Sequence, residues 1–231
     1  MISAYLLSHS FGSREVLRQV SFRLAAGEFA FVTGPSGAGK TTLLRLLHGE
    51  LPLQQGKVLV AGHDLNRLES GLPGLRRDVA VIFQDFKILL KRTVYDNVSL
   101  PLEVRGLGRA QIKRRVDSVL GQLAIGHLAD QACIRLAGGE QQRVAIARAM
   151  VGGPKVILAD EPTGNLDWDL AAQLMEVFKQ FHAHGATILM ATHNREIVRS
   201  TPQARVLRLE DGALRGGEED FGEGFEEGPG L

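Results

Sequence analysis

The chain reads as an α/β protein, an open sheet carrying helices, on three observations. Apolar runs at 29–33, 79–83, 156–159 and 187–191 are too short for helices and rich in Val, Ile and Phe, the pattern of buried strands. Each run hands over to a polar group at its C-terminal end: a glycine-rich loop, Gln84, Asp160 with Glu161, and His193. From Lys155 to Arg215 strand-like and helix-like segments alternate. In open α/β sheets ligands bind beyond the carboxyl ends of the strands, so four runs converge different polar groups on one edge.

Taken in order, residues 1–84 predict short strands and turns at Gly12-Ser13, Ala26-Gly27 and Gly62-His63-Asp64. The run 29–33 enters Gly34-Pro35-Ser36-Gly37-Ala38-Gly39-Lys40-Thr41, which fits G-x-x-x-x-G-K-[ST], a loop whose backbone N–H groups cradle phosphates. Glycines at 34, 37 and 39 permit positive φ and close approach of the backbone to phosphate oxygens. Lys40 can reach the terminal phosphates and the Thr41 hydroxyl can ligate Mg²⁺, with Thr42 next in the cradle. Leu43, Leu44, Leu46 and Leu47 give the following helix an apolar side, and its positive dipole end faces the same anions.

Residues 85–154 read as mostly helical, with Ile112, Val116, Val119, Leu120 and Leu123 at helical spacing. Gly138-Gly139 opens a helix in which Val144, Ala147 and Val151 share a face, closed by Gly152-Gly153-Pro154. A glycine-rich helix start is a second anion site, and one small domain seldom needs two for one nucleotide. The run 156–159 then presents Asp160 and Glu161 before Pro162; after a buried run, adjacent carboxylates read as catalytic rather than as solvated decoration. Leu170, Leu174, Val177, Phe178 and Phe181 mark an amphipathic helix that stops at Gly185. His182 and His184 near its end read as partners of the helix C-terminus.

Composition bounds the rest. The 231 residues suffice for one α/β domain with a smaller inserted subdomain, and the net charge of +1 does not suggest a nucleic-acid binder. Glu218, Glu219, Asp220, Glu223, Glu226 and Glu227 concentrate acid in residues 216–231, a Gly-rich tail that reads as disordered. The body is correspondingly basic, which suits an anionic membrane surface and equally a solvated face. A lone Cys133 excludes an intramolecular disulfide and fits a reducing compartment. No apolar run approaches a membrane span, so work at a membrane would need a partner to supply the spanning part.

Leu136-Ala137-Gly138-Gly139-Glu140-Gln141-Gln142-Arg143 resembles the signature motif of ABC-type ATPases, and the resemblance covers about residues 1–215. It implies a P-loop RecA-like core with an N-terminal antiparallel β subdomain and an inserted α-helical subdomain at about 85–154. Phe83-Gln84-Asp85, the run from Arg92 to Val98, the run from Ala159 to Asp167 and Met190-Ala191-Thr192-His193-Asn194 resemble the FtsE family of cell-division ATPases more specifically. Lipoprotein-releasing and macrolide-exporting ATPases are near relatives of that family and remain the alternative.

The resemblance implies roles. Residues Gly34 to Thr42 would bind ATP; Thr41, Gln84 and Asp160 would surround Mg²⁺; Glu161, with His193 and Gln84, would serve catalysis. Leu136 to Gln141 would cap the γ-phosphate held by a second copy, and Asp167 would bridge the ATP-dependent homodimer. Ala137 departs from the serine usual there, which predicts weaker ATP-driven closure or slower turnover rather than loss of activity. Phe11 is a candidate to stack on adenine and equally a candidate core residue. The apolar residues Phe86, Ile88, Leu89 and Leu90 fit either a docking segment for a membrane partner or plain core. An FtsX-like membrane protein would be that partner at the cytoplasmic face of the inner membrane, relaying to cell-wall hydrolase activators.

Overall fold

The computed structural model describes residues 1–83, 85–164 and 166–215, and for 68–70 the backbone alone. Gln84, Asn165 and the acidic tail at 216–231 therefore lie outside the described residues. In chain order the elements begin with β1 (Ile2–Phe11), β2 (Arg14–Leu24), β3 (Phe29–Thr33), α1 (Lys40–Leu47), β4 (Gln55–Val60) and β5 (His63–Asp64). There follow α2 (Leu72–Asp78), β6 (Val79–Ile82), α3 (Val94–Val104), α4 (Arg109–Gln122) and α5 (Gly138–Met150). The last are β7 (Val156–Asp160), α6 (Trp168–Ala183), β8 (Thr187–Ala191), α7 (Arg195–Arg199), β9 (Arg205–Glu210) and β10 (Ala213–Arg215).

Two sheets form. An antiparallel sheet runs β2-β1-β4-β5, and a six-stranded sheet runs β10-β9-β3-β8-β7-β6. The strands from β9 to β6 are parallel, and β10 folds back antiparallel on β9. Parallel strands carry helices on both faces, and β7 and β8 are accordingly buried at every position, which is why their sequences are continuous apolar runs. The period-2 alternation splits them between two cores. Phe29, Phe31, Ile157, Ala159, Ile188 and Met190 face the side built by α3, α4, α5 and α6. Ala30, Val32, Leu158, Leu189 and Ala191 face the side shared with α1 and the antiparallel sheet. The glycine-rich loop and α1 thus lie between two sheets that fix them from both sides.

The predicted strands appear with small shifts of boundary: the run at 79–83 ends as strand at Ile82, and the run at 156–159 extends to Asp160. The third predicted turn is corrected. Ala61 and Gly62 both take positive φ, as a two-residue type I′ hairpin demands, so His63 and Asp64 are strand residues paired with Val60 and Leu59. α2 was not anticipated in the strand-rich first third; its signal was Pro73 in the first turn with Arg76 and Arg77 in the last. His182 is also corrected: its Nε2 pairs with the Gly27 carbonyl oxygen at 2.9 Å, tying α6 to the β2–β3 turn. Only His184 stays with its own helix end, on the Gln180 carbonyl at 2.7 Å.

β4 crosses β1 where the register of β1 shifts between Tyr5 and Ser8, and Gly56 sits against that irregularity with φ +93°. A Cβ there would lie 2.6 Å from the Tyr5 carbonyl oxygen and 2.7 Å from that of Leu6, both backbone atoms that cannot swing aside. Gly56→Ala should therefore destabilise the fold by about 2–3 kcal/mol, read as a fall of several degrees in Tm. An unchanged melting curve would contradict this packing of the antiparallel sheet.

Candidate functional site

The loop between β3 and α1 is held open by backbone conformation. Gly34, Gly37 and Gly39 take φ of +150°, +79° and +106°, and a Cβ on Gly34 would lie 2.0 Å from the Leu209 carbonyl oxygen. Lys40, the first residue of α1, is buried; its ammonium donates to the Gly34 and Pro35 carbonyl oxygens at 2.9 and 3.1 Å. Gly39 caps α1 without a side chain, so the first N–H groups of the helix stay available to an anion.

Beside this loop lies a cavity of about 530 Å³. Phe11, Ser36, Gly37, Gly39, Lys40, Thr41, Thr42, Asp160, Glu161 and His193 line it, together with Arg14 and Val16 of the β1–β2 hairpin. Gly34, Pro35 and Ala38 shape the loop from behind. Most residues assigned to nucleotide chemistry from the sequence therefore meet at one place. Phe11 is 47 % exposed at its mouth, not in the core, and meets the His9 ring edge-on with centroids 4.8 Å apart. Arg14, its cross-strand neighbour, is a cavity-lining cation that the sequence reading missed.

Asp160 ends β7 as a buried carboxylate. Burial pushes its pKa above the ordinary carboxylate value of 3.8, against a hydrogen bond from Thr41, with Glu161 adding to the rise and Lys40 opposing it. Its Oδ1 atom has no hydrogen-bond partner. A buried oxygen left without a donor would suit a divalent cation as a ligand. No cluster of three or more His, Cys, Asp or Glu among the described residues forms a metal cage.

Glu161 takes φ +47°, a left-handed backbone held by its N–H bond to the Ala191 carbonyl oxygen at 2.9 Å. Its carboxylate is engaged by His193 from two atoms, Nδ1 at 2.8 Å and the backbone N–H at 3.4 Å. Glu161 and His193 thus form a pair across neighbouring strands β7 and β8, the carboxylate mostly covered and the imidazole open to the cavity.

The signature segment lies elsewhere: none of Leu136, Ala137, Gly138, Gly139, Glu140 and Gln141 lines that cavity. α5 begins at Gly138 with Ala137 as its N-cap, so the first turn lacks a side-chain acceptor there. Glu140 supplies half a capping box by accepting from the Ala137 N–H at 2.9 Å. Ala137 and Gly138 are exposed, leaving this helix start open. Asp167 caps α6, its Oδ1 accepting from Leu170 N–H at 2.9 Å, a structural task within the chain that the sequence reading did not assign.

Three connections escaped the sequence. Gln142 of α5 is buried and donates from Nε2 to the Pro162 carbonyl oxygen, joining the signature helix to the segment after Glu161. Asn97 of α3 clamps the Leu89 backbone through donor and acceptor at 3.0 and 2.8 Å, while Arg148 of α5 donates to the Phe86 carbonyl oxygen at 3.2 Å. The segment after β6 is therefore tethered to the helices. It carries exposed Leu89 and Leu90 and partly buried Phe86 and Ile88. Beyond Thr41 and Asp160 a second cavity, about 520 Å³, includes Arg45, His48, Phe83, Asp85 and Lys87. Burial, with Arg76 and Lys87 near, pushes His48 down to about 4, so its ring is neutral at physiological pH.

With this geometry in view, comparison with known proteins is specific. Residues 17–164 match the family model described as ABC transporter. The chain belongs to the ABC transporter ATP-binding family. Membership makes it an ABC-type ATPase. The cell division ATP-binding protein FtsE of Escherichia coli K12 is 47 % identical over 207 residues, covering 89 % of this chain and 93 % of that protein. FtsE of Streptococcus pneumoniae D39 is 48 % identical over 199 residues, 86 % of each chain, and that of Bacillus subtilis 168 is 44 % identical over 201, covering 87 % and 88 %. Among solved structures, a dimeric ATP-binding cassette in a post-hydrolysis state with ADP and Pi superposes with TM-score 0.85 at 29 % identity, over 94 % of this chain and 97 % of that one.

The Asp160 geometry sets a stability cost with a defined sign. A carboxyl whose folded pKa is raised stabilises the fold below the ordinary value of 3.8 and loses that contribution as pH rises through the raised value. Asp160→Asn should raise the Tm of the nucleotide-free protein at pH 7, with the advantage shrinking on acidification, while ATP hydrolysis falls at least about 100-fold. Melting curves across pH beside phosphate release check both; a lower Tm at neutral pH would contradict the reading.

Proposed function

We propose that this chain is the ATP-hydrolysing subunit of an FtsEX-type complex, which closes as a dimer on ATP and drives an FtsX-like membrane protein that controls septal cell-wall hydrolysis. The observation that carries the reading is the separation of the two anion sites. The P-loop cavity holds Lys40, Asp160, Glu161 and His193 but nothing of the signature segment, whose helix start stands open elsewhere. A head-to-tail pair of chains joins one copy's cavity to the other's signature. Dimeric cassettes among the structural relatives support this, and relatives named cell division ATP-binding proteins support the division role.

In this reading Gly34 to Thr42 bind the phosphates of ATP, and Phe11 offers its exposed face to adenine. Thr41 and Asp160, with Gln84, would hold Mg²⁺, which when bound neutralises phosphate charge and orients the γ-phosphate. Glu161 accepts the proton of the attacking water and aims its lone pair in line with the scissile bond. The His193 Nδ1 contact steers that carboxylate into the cavity, and the rest of the imidazole is open to the cavity, where it would meet the γ-phosphate. Charge repulsion between the products favours reopening. Residues 1–215 form the ATPase domain, with the helical subdomain at about 85–154.

Transmission follows the tethers. α5 carries the signature at one end, Gln142 on the Glu161 segment and Arg148 on Phe86. Rotation of that helix on closure moves the Leu89–Leu90 surface, where the membrane partner would dock. No helix of the described residues is long and apolar enough to cross a membrane, so the partner supplies the spanning part from the other side of that surface.

Glu161→Gln should lower turnover at least about 1,000-fold while preserving ATP binding. Affinity purification of that ATP-bound variant from solubilised membranes, followed by mass spectrometry, tests the partner. One membrane protein with a large extracytoplasmic loop and cell-wall hydrolase activators is expected. A lipoprotein-releasing or drug-exporting permease would overturn the division role and leave the ATPase chemistry standing.

Ala137 gives a second test. A serine there would add both an N-cap for α5, worth about 1 kcal/mol, and a donor to the γ-phosphate of the other copy. Ala137→Ser should raise Tm by a few degrees and lower the ATP midpoint of dimerisation severalfold. An unchanged midpoint in sedimentation velocity would contradict it.

A further inference from the structure

Trp168, the only tryptophan of the chain, is 49 % exposed at the first position of α6. It does not sit at random on that helix. Ala171 and Met175, three and seven positions on, lie on the same stripe and are buried. The apolar stripe of α6 therefore continues one turn past the point where this chain covers it. On the order of 100 Å² of indole is left facing solvent.

The location is equally specific. A Cβ added to Gly139 would lie 3.4 Å from Leu166 and 3.6 Å from Leu170, residues on either side of Trp168. The start of α6 thus packs beside the open start of the signature helix through Leu166 and Leu170, with Trp168 on the neighbouring face of the same turn, and Asp167 fixes its backbone by capping α6. Resting on the dimer reading above, we infer that Trp168 is an anchor of the ATP-closed pair, buried against a second copy of this chain. In a two-fold symmetric interface every anchor acts twice, and half-exposed tryptophans at the centre of an interface rank among the side chains whose truncation costs most.

The single tryptophan makes the test direct. In the Glu161→Gln protein, Mg-ATP should shift the emission of Trp168 to shorter wavelength and reduce its quenching by acrylamide. Both changes should track the dimer fraction measured by sedimentation velocity across protein concentrations. In the same background Trp168→Ala should raise the dimer Kd at least tenfold and Trp168→Phe by less, with the ATP affinity of dilute single chains unchanged. An ATP-driven dimer whose Trp168 emission stays that of a water-exposed indole, or whose Kd is the same in Trp168→Ala, overturns the anchor and leaves the dimer reading intact. A protein that stays single-chain at saturating ATP overturns both. Should the alanine variant fail to fold, the emission of the unaltered tryptophan and the Kd of Trp168→Phe decide.

Discussion

A buried carboxylate without a full set of partners is the constraint on which the rest of the structure depends. Asp160 sits at the end of a strand covered at every position, with one oxygen lacking any donor. Protein alone would not keep such a group; desolvation works against it unless an opposite charge arrives. The fold places it where that charge can come. Thr41 and Lys40 approach from the P-loop, and the open N–H groups of α1 lie beside them. The strain of a left-handed Glu161 one residue later belongs to the same arrangement, because it turns the next carboxylate towards His193.

The two cores divide the labour. The side shared with the antiparallel sheet pins α1 and its loop, and the Phe11 hairpin reaches over the cavity from there. The helical side carries the signature start, the Leu89–Leu90 surface and the open stripe of α6. On that helical side, hydrogen bonds from Gln142 to Pro162 and from Arg148 to Phe86 tie helix to loop. The P-loop cavity and the Leu89–Leu90 surface thus belong to different packed bodies of the fold.

Much of this was legible in the sequence for identifiable reasons. Parallel strands buried on both faces leave apolar runs without alternation, so β3, β6, β7 and β8 stood out, and the polar residue ending each run named the edge where the site lies. The P-loop cavity could be listed nearly residue by residue because its spacing is set by backbone geometry. What stayed hidden depends on tertiary contact. Gln142 and Asn97 are polar residues in helices, indistinguishable by pattern from solvated ones, and only their burial reveals them as clamps. Phe11 could have been core or platform; half exposure decides its environment. The turn at Ala61-Gly62 was misplaced by one residue because alanine seldom takes positive φ and gave no warning.

The central claim is that one chain carries half of each hydrolysis site. Its most direct test is the specific ATPase activity of the purified protein as a function of protein concentration, at saturating Mg-ATP and down to dilutions where only single chains remain. Specific activity should fall towards zero on dilution, in proportion to the dimer fraction. A specific activity that stays constant through the single-chain range would contradict it.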